Sequence, residues 1–314
     1  MTTIRTFQNN DVQNVIQLWN ATKQEPFMDT RFFLKNILLD MNFDEKGFFI
    51  AEKDGKSVGF CQAIVRRYPV DVGAPAQDEC GYINMLVCLS PQDLLGELGQ
   101  ELLRNAETYI RSQGKKEIRV ATYSPNYIHP GISVRNVHAL SLLQNSGYVH
   151  SYETRAIKAD LSTFAPIPDL EKLQKEREQE GFIFTRLTDN YVLPLLHFNV
   201  VHGWIHRYRR LLNETLDYEK FRLILHGEKL VGVAVYGDPY SDEGRFGPFG
   251  IDAEYQGKGL GKILLYNTLT SMKEHGICYA WAQSTPCFGA GARVYEKLGF
   301  VETDRFIAMA KKLS

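Results

Sequence analysis

The period of the hydrophobic pattern changes several times along the chain, and it changes in the same order in each half. Apolar runs of strand length end at polar turns, and each half carries one longer segment whose apolar residues recur at helical spacing. The pattern therefore predicts two copies of one α/β (α+β) unit, in which a mixed, mostly antiparallel sheet is flanked by helices. The predicted hairpin, strand, helix and further strand lie at 47–61, 82–89, 95–110 and 117–122, and again at 221–235, 246–251, 259–275 and 278–283.

The end of each half supports this repeat. Residues 147–161 align with residues 299–313 without a gap, and both segments begin with Gly and an aromatic residue. Between the halves, the prolines of segment 164–168 cannot continue a helix or a strand ladder. A chain of 314 residues has room for two cores. We expect a first domain at 1–163, a linker and charged helix at 164–180, and a second domain at 181–314.

Composition and charge exclude several classes of partner. The formal net charge of −1 gives no basic field for a nucleic-acid backbone, and no apolar run reaches the ~20 residues that span a bilayer. The first residues lack the basic and then apolar layout of a signal peptide. The five cysteines lack a Cys-x-x-Cys spacing, and Cys88 and Cys278 lie in apolar runs typical of a core. We expect a cytoplasmic protein without disulfides or a metal, and without nucleic acid or membrane as a partner.

One glycine-rich loop follows a predicted strand and begins a predicted helix: Gln256-Gly257-Lys258-Gly259-Leu260-Gly261. Glycines at alternate positions leave the backbone bare, so several N–H groups can point at one anion beside the positive end of the helix dipole. This arrangement predicts a diphosphate site, although the same residues also fit a ligand-free turn. A P-loop is disfavoured because Gly-Lys-Ser/Thr is absent. A dinucleotide fingerprint is disfavoured because the loop lies behind a hairpin, late in its domain.

This loop and a later helix resemble those of a known family. Gln-x-x-Gly-x-Gly between a strand and a helix resembles the acyl-CoA signature of the GNAT superfamily of N-acetyltransferases, and residues 292–300 resemble that family's late helix. The tandem layout is similar to that of mycothiol synthase, a likeness that we do not extend to substrate. The resemblance implies acetyl-CoA as cosubstrate, with its pyrophosphate in the loop. The implied coenzyme A contacts are Phe249, Ile251, Gln256, Gly257, Lys258, Gly259, Leu260, Gly261 and Lys262.

Acetyl transfer from a thioester to an amine requires a neutral amine, a stabilised oxyanion and a proton for the departing thiolate. The resemblance places the family's general acid at Tyr295, whose helical stripe is also typical of a packed core aromatic. Pro248 has no N–H group and lies in the strand whose backbone holds the oxyanion and pantetheine in the family, so we expect a bulge there. No general base is singled out among the acids that flank this strand, which are Asp238, Asp242, Glu243 and Asp252.

The first helix of the second half ends in a segment rich in aromatic residues and histidine. In the family this position forms the wall that binds the acceptor, so the resemblance makes His202, Trp204 and Tyr208 the expected acceptor contacts. His202 and His206 lie four residues apart, as metal ligands on a helix can, but no Glu lies between them in the zincin pattern. We therefore expect partly exposed histidines and no metal.

The first half lacks the groups that this chemistry needs. When the two helix starts are aligned, Glu97 falls where a diphosphate is expected and would repel it. Leu143 falls opposite Tyr295, so the proton donor is missing. Asn136 falls where the family often has an Asn that contacts the cofactor, and the second half has Phe288 there. We expect a degenerate first domain and a catalytic second domain.

Together these residues predict an enzyme. We expect it to move an acetyl group from acetyl-CoA to a primary amine of a small molecule, or to a protein amine, by direct attack in a ternary complex. The alternative is a non-catalytic coenzyme A-binding or scaffold protein with two such domains. The identity of the acceptor and the oligomeric state stay open at this level.

Overall fold

The computed structural model describes residues 2–24, 26–69, 79–124, 126, 128–204, 217–238 and 242–313. The strands are β1 (Thr2–Thr6), β2 (Phe48–Lys53), β3 (Lys56–Val65), β4 (Cys80–Cys88), β5 (Glu117–Val120), β6 (Ile132–Ser133), β7 (Val149–Asp160), β8 (Phe182–Arg186), β9 (Phe221–His226), β10 (Lys229–Asp238), β11 (Asp242–Ile251), β12 (Tyr279–Thr285) and β13 (Val301–Lys312). The helices are α1 (Val12–Ala21), α2 (Thr30–Phe33), α3 (Pro91–Leu95), α4 (Glu97–Ser112), α5 (Val137–Asn145), α6 (Pro168–Gln179), α7 (Val192–His202), α8 (Leu260–Glu274) and α9 (Gly289–Lys297).

The chain folds as two compact units, residues 1–154 with 304–314 and residues 155–303. This division differs from the predicted boundaries, because each unit contains part of the other half's closing strand. In the first unit, β13 pairs antiparallel with β5, with Met309 opposite Val120. In the second unit, β7 pairs antiparallel with β12, with Ile157 opposite Ala282. The two closing segments share one hydrophobic pattern, so either can fill the same place in a sheet.

In the first unit the sheet runs β1–β2–β3–β4–β5–β13, and every pair is antiparallel except β4 with β5. Helix α4 covers one face and buries Leu102, Ala106 and Ile110, which recur at helical spacing. Helix α1 covers the other face with Val15 and Trp19. The unit therefore has a core on each side of its sheet.

In the second unit the sheet runs β8–β9–β10–β11–β12–β7, and only β11 and β12 are parallel. Helices α8 and α9 cover one face, and α7 covers the other with Leu195 and Phe198. The same arrangement of strands and helices thus occurs twice, which confirms the predicted fold class.

The predicted linker is part of the second unit. Phe164, Ile167 and Leu170 pack against the core beneath α8. The charged segment forms the helix α6, as expected, but none of its residues is buried. Polar contacts and this short apolar edge therefore hold α6 in place.

The cysteines differ in their burial. All five are free thiols, and Cys88 is buried as expected. Cys278 is exposed, so the expectation of a core position was wrong there. It precedes β12 and lies outside the sheet, where the apolar pattern of the strand no longer decides burial. In the ranges that the structure covers, no helix is long and apolar enough to cross a membrane.

A buried histidine should make the protein less stable in acid. His129 is stacked between Trp19 and Phe306, at ring distances of 5.3 and 6.5 Å, and burial lowers its pKa to about 4. The folded state therefore keeps His129 neutral, while the unfolded state takes up a proton below a pKa of about 6.5. The free energy of unfolding has its full value above the pKa of the unfolded state and falls as the pH drops towards 4. The decrease is on the order of 2 kcal/mol between pH 7 and pH 5.

Unfolding titrations of wild type and His129→Phe at pH 7 and pH 5 test this expectation. The variant should lose less stability on acidification, because it carries no proton-binding group at this position. His197→Gln removes an exposed histidine and should keep the wild-type pH dependence. Equal acid sensitivity of wild type and His129→Phe would contradict the assignment.

Candidate active site

The glycine-rich loop joins β11 to α8 and leaves a row of backbone donors open. Gly257 and Gly259 have φ angles of +83° and +80°, a left-handed conformation that strains residues with a side chain. Gly259 caps α8, and its carbonyl accepts hydrogen bonds from the N–H groups of Lys262 and Ile263 at 3.0 and 3.3 Å. Within the described residues, the N–H groups of 257–261 have no acceptor. The N-terminus of α8 therefore offers the N–H donors that an anion-binding site requires.

The loop lies against the strand from which the pantetheine contacts are expected. A Cβ atom on Gly261 would lie 3.6 Å from the Phe249 ring and 3.7 Å from Ile251, which is ordinary contact distance. The side-chain amide of Gln256 donates to the carbonyl of Ile251 at 3.3 Å. The structure thus brings Phe249, Ile251, Gln256 and Gly261 together. Lys258 is exposed beside the loop, with its Nζ 6.0 Å from the Phe182 ring.

The two parallel strands of the second unit separate next to this loop. They share one register position, where Arg245 lies opposite Trp281. Further along β11, Ala234 pairs with Phe249 and Tyr236 pairs with Phe246, so a step of two residues in β10 is matched by a step of three in β11. This extra residue is a bulge at the position of Pro248, as expected from its missing N–H group.

Tyr295 lies on α9 with its ring in an aromatic cage. The centroids of Phe246, Phe249 and Phe300 are 6.2, 5.8 and 5.6 Å from its own. Desolvation raises the pKa of its phenol, and the nearby charge of Arg155 opposes that rise. Its hydroxyl has no hydrogen-bond partner in the part of the chain that the structure describes, and its oxygen is not among the fully buried polar atoms. Tyr295 is therefore protonated at neutral pH, and its ring lies beside Phe249.

Arg155 is a buried residue that holds this helix in place and that sequence reasoning missed. Its Nε donates to the carbonyl of Pro286 at 2.9 Å, and a terminal nitrogen donates to that of Ala292 at 3.4 Å. Its other terminal nitrogen pairs with Glu296 at 3.0 Å. Because Arg155 comes from the closing strand of the first half, nothing local in the sequence connects it with Tyr295.

Substituting Arg155 should loosen the position of Tyr295. Arg155→Lys keeps the charge but cannot reach both carbonyls, so we expect a loss of about 1–3 kcal/mol of stability and a lower kcat. The KM for acetyl-CoA should change less, because the loop does not contact this side chain. Arg293→Lys, at an exposed position on the same helix, should leave stability and kcat unchanged. A normal kcat in a destabilised Arg155→Lys enzyme would argue against a positioning role.

Two of the three expected acceptor contacts, His202 and Trp204, lie within the described residues. The Trp204 indole lies so close to Gly250 of β11 that a Cβ there would meet it at 2.5 Å. The ring of Trp204 stacks on His202 at 5.1 Å, and His202 lies 4.2 Å from the Phe198 ring. Asn199 in the same helix is fully buried, and neither of its amide atoms has a partner among the residues that the structure describes. The aromatic residues form a surface beside β11, and the buried amide lies behind it, which the sequence pattern did not indicate.

Two of the predicted residues lie outside the described ranges. These are Tyr208 and His206, so the structure does not address the acceptor contact of the first or the histidine pair of the second. Across the described residues, no group of three or more His, Cys, Asp or Glu side chains could hold a metal ion.

Two of the four acids beside β11 make ion pairs or hydrogen bonds within the second unit. Asp252 pairs with Lys229 at 2.8 Å, which lowers the pKa of Asp252. Asp242 accepts hydrogen bonds from the Tyr279 hydroxyl and the Gly244 N–H group, both at 2.7 Å. These contacts give Asp242 and Asp252 structural roles.

In the first unit, the short helix α3 occupies the place of the glycine-rich loop. Helix α3 packs onto the start of α4, and a Cβ on Gly99 would lie 1.9 Å from the carbonyl oxygen of Leu94. Gly99 is therefore required for packing. Asn136 caps α5, where its side chain accepts from the Ala139 N–H group at 3.1 Å.

The parallel strands of the first unit also stay together. Strands β4 and β5 pair at four successive positions, from Cys80 with Glu117 to Ile83 with Val120. Leu143, which aligns with Tyr295, is buried in the core. In the first unit, packed residues occupy the positions that align with the glycine-rich loop and Tyr295 of the second.

Comparison with known proteins agrees with this geometry. A model of the acetyltransferase (GNAT) family matches residues 12–128 and 176–300, which together make up more than half of the chain. The chain therefore belongs to the acetyltransferase (GNAT) family, and it contains the family's fold twice. No curated protein sequence matches the chain.

Several solved structures share the tandem fold at low sequence identity. The GCN5-related glucosamine N-acetyltransferase region of a fungal multi-domain GH3 β-N-acetylglucosaminidase has a TM-score of 0.78 at 15% identity, over 99% of this chain and 38% of that one. A GCN5-related N-acetyltransferase from Sphaerobacter thermophilus has a TM-score of 0.71 at 15% identity, over 99% and 95%. A tandem GNAT protein from the clavulanic acid biosynthesis pathway has a TM-score of 0.67 at 12% identity, over 99% and 98%. At such identities these similarities show the fold alone.

Proposed function

We propose that the second unit transfers an acetyl group from acetyl-CoA to a primary amine of a small molecule, or to a protein amine. The observation that carries this proposal is that three features coincide in one unit. These are a loop with free N–H groups, two strands that separate beside it, and a caged tyrosine near the separation. The strand separation and the caged tyrosine have no counterpart in the described part of the first unit, and we propose that the first unit does not catalyse the reaction.

In the proposed reaction, the loop and β11 bind the cofactor and Tyr295 supplies a proton. The N–H groups of 257–261 would hold the pyrophosphate of acetyl-CoA, and Phe249 and Ile251 would flank its pantetheine arm. The acceptor amine attacks the thioester carbon directly, so that a C–N bond forms as the C–S bond breaks. Tyr295 gives its proton to the departing sulfur and recovers one from the acetylated amine by way of solvent. The phenol can take this role because a tyrosine, with an ordinary pKa of about 10, carries its proton at neutral pH.

The aromatic surface of His202 and Trp204 supports an acceptor that binds beside β11. An indole offers stacking without selecting for charge. One structural neighbour is described as a glucosamine N-acetyltransferase, which makes aminosugars a natural first class of acceptor to test. We extend the proposal to a cytoplasmic setting, since five free thiols are in keeping with a reducing compartment.

The test is acetyl transfer by the full chain over a panel of amines. The panel holds aminosugars, amino acids, polyamines, aminoglycosides and lysine peptides, and the readouts are thiol release and the mass of the product. We expect an acetylated product in one of these classes. Binding of coenzyme A without transfer to any amine would instead favour the rival, a non-catalytic coenzyme A-binding or scaffold protein.

A further inference from the structure

An open cavity of about 610 Å³ lies at the surface of the second unit, apart from the loop and from Tyr295. It is bounded by α6, by strands β8 and β9, and by the part of α8 that runs from Leu264 to Glu274. Its volume is in the range of small-molecule sites. Neither the glycine-rich loop nor the aromatic surface of His202 and Trp204 contributes to its lining, so the proposed reaction leaves this cavity unexplained.

One wall carries a positive charge that has only neutral partners. Arg222 of β9 is half-buried, and its guanidinium donates to the hydroxyl of Ser271 and to the carbonyl oxygens of Glu219 and Phe221. In the described ranges it has no carboxylate partner. A guanidinium that is fixed by neutral acceptors and faces a cavity is a natural anchor for a carboxylate.

The other walls carry carboxylates without a cationic partner in the described ranges. On α6, Glu171 accepts from the Tyr266 hydroxyl at 2.9 Å and Glu178 accepts from the Gln174 amide at 2.8 Å. Glu274 lines the end of the cavity at the C-terminus of α8. The cavity thus offers a guanidinium on one side and carboxylates on another, which suits a ligand with both a negative and a positive group.

Two further basic residues line the cavity, in addition to Arg222. Arg186 is paired with Glu219, and Lys175 is exposed on α6 among the carboxylates. The lining therefore presents Arg222 to a negative group of a ligand and the three glutamates to a positive group. A free amino acid carries a carboxylate and an ammonium group and has no net charge between them.

Helix α6 connects the cavity with the coenzyme A loop. Its inner side lines the cavity, and it is joined to α8 by hydrogen bonds from Tyr266 to Glu171 and from Asn267 to Gln174. On the same helix, the Leu173 side chain lies 2.8 Å from the position that a Cβ on Gly259 would take. None of the residues of α6 is buried, so a ligand against this helix can shift it at little cost.

We propose that this cavity is a regulatory site for a zwitterion of the amino-acid class, and that α6 transmits its occupancy to the loop at Gly259. The binding of the amino acid is independent of the reaction, whereas the regulatory effect rests on the proposed function, because it requires coenzyme A in that loop.

Titration calorimetry of the full chain with free glycine, leucine, glutamate, lysine and arginine tests the binding. At least one should bind, and Arg222→Gln should weaken it by about 10-fold or more, the size of one lost charge-assisted contact. Lys229→Gln removes an exposed cation outside the cavity and should leave the affinity unchanged. If Arg222→Gln lowers the melting temperature, Glu274→Gln gives a second measurement at an exposed position. Absence of binding overturns the site, and so does an affinity that neither cavity substitution changes.

The regulatory effect is measured by titrating coenzyme A with and without the bound amino acid. The two ligands should change each other's affinity by the same factor, and Leu173→Ala should bring that factor close to one. Amino-acid binding with an unaltered affinity for coenzyme A overturns the regulatory part. Amino-acid binding by a chain that does not bind coenzyme A at all supports the site and overturns the proposed function together with the regulation.

Discussion

Gly261→Glu is expected to abolish coenzyme A binding and acetyl transfer. Gly261 is the second residue of α8 and has a helical conformation, with ordinary contact distances around a Cβ. A carboxylate there would point its charge at the N–H groups that are assigned to the pyrophosphate, and like charges at such distances repel. Calorimetric titration with coenzyme A should show no binding, and the acetyl-transfer rate should fall to background.

The position allows a clean control, because acidic residues stabilise the first turn of a helix. The variant should therefore fold, with a melting temperature near that of wild type. Gly261→Ala adds only a methyl group and should keep most of the activity. Gln100→Glu adds the same charge to the first turn of α4 at an exposed position and should keep all of it. Wild-type coenzyme A affinity in Gly261→Glu would show that the pyrophosphate binds elsewhere.

Other glycines are less suitable for this experiment. Gly259 has a positive φ and little space towards Leu173, so a side chain there would disturb folding as well as binding. Gly99 in the first unit cannot accept a Cβ at all, because the Leu94 carbonyl occupies that place. A loss of activity on substitution at either position would not separate a binding defect from a folding defect.

Tyr295→Phe is expected to lower kcat by about 10²-fold or more while coenzyme A affinity holds. The substitution removes one hydroxyl from the aromatic cage and leaves the ring contacts with Phe246, Phe249 and Phe300 in place. Since that hydroxyl has no partner within the described chain, the melting temperature should not fall. Steady-state kinetics and thermal melting measure the two effects separately.

The matched control is Tyr255→Phe, which removes a half-buried hydroxyl just before the loop. It should keep kcat, because that phenol does not face the separation of β11 and β12. A normal kcat in Tyr295→Phe would mean that Tyr295 acts only in packing. The proton donor would then have to be another group or water.

Local chemistry was enough to predict the glycine-rich turn before a helix and the repeated fold. The glycines at 257 and 259 adopt a left-handed conformation, and the helix behind them begins within one residue of the predicted position. The bulge at Pro248 follows from a missing N–H group, which is a property of that residue alone. Such features depend on neighbours in the chain, so a sequence contains them directly.

Features that depend on distant parts of the chain could not be predicted in this way. Gly99 and Gly261 align with each other, yet Gly99 makes room for the Leu94 carbonyl while Gly261 lies beside Phe249 and Ile251. Arg155 holds the helix of Tyr295 although 140 residues separate the two in the printed sequence.

The sequence by itself therefore determined the family, the repeat and the position of the glycine-rich loop, because periodicity and backbone freedom are local properties. Only the tertiary structure decided which closing strand completes which unit, since residues 155–160 and 304–312 carry the same hydrophobic pattern and fit the same kind of place. The tertiary structure also decided that Trp204 lies on Gly250 and that Arg222 faces a cavity. Contacts of this kind arise when distant segments pack together, and no spacing along the chain specifies them.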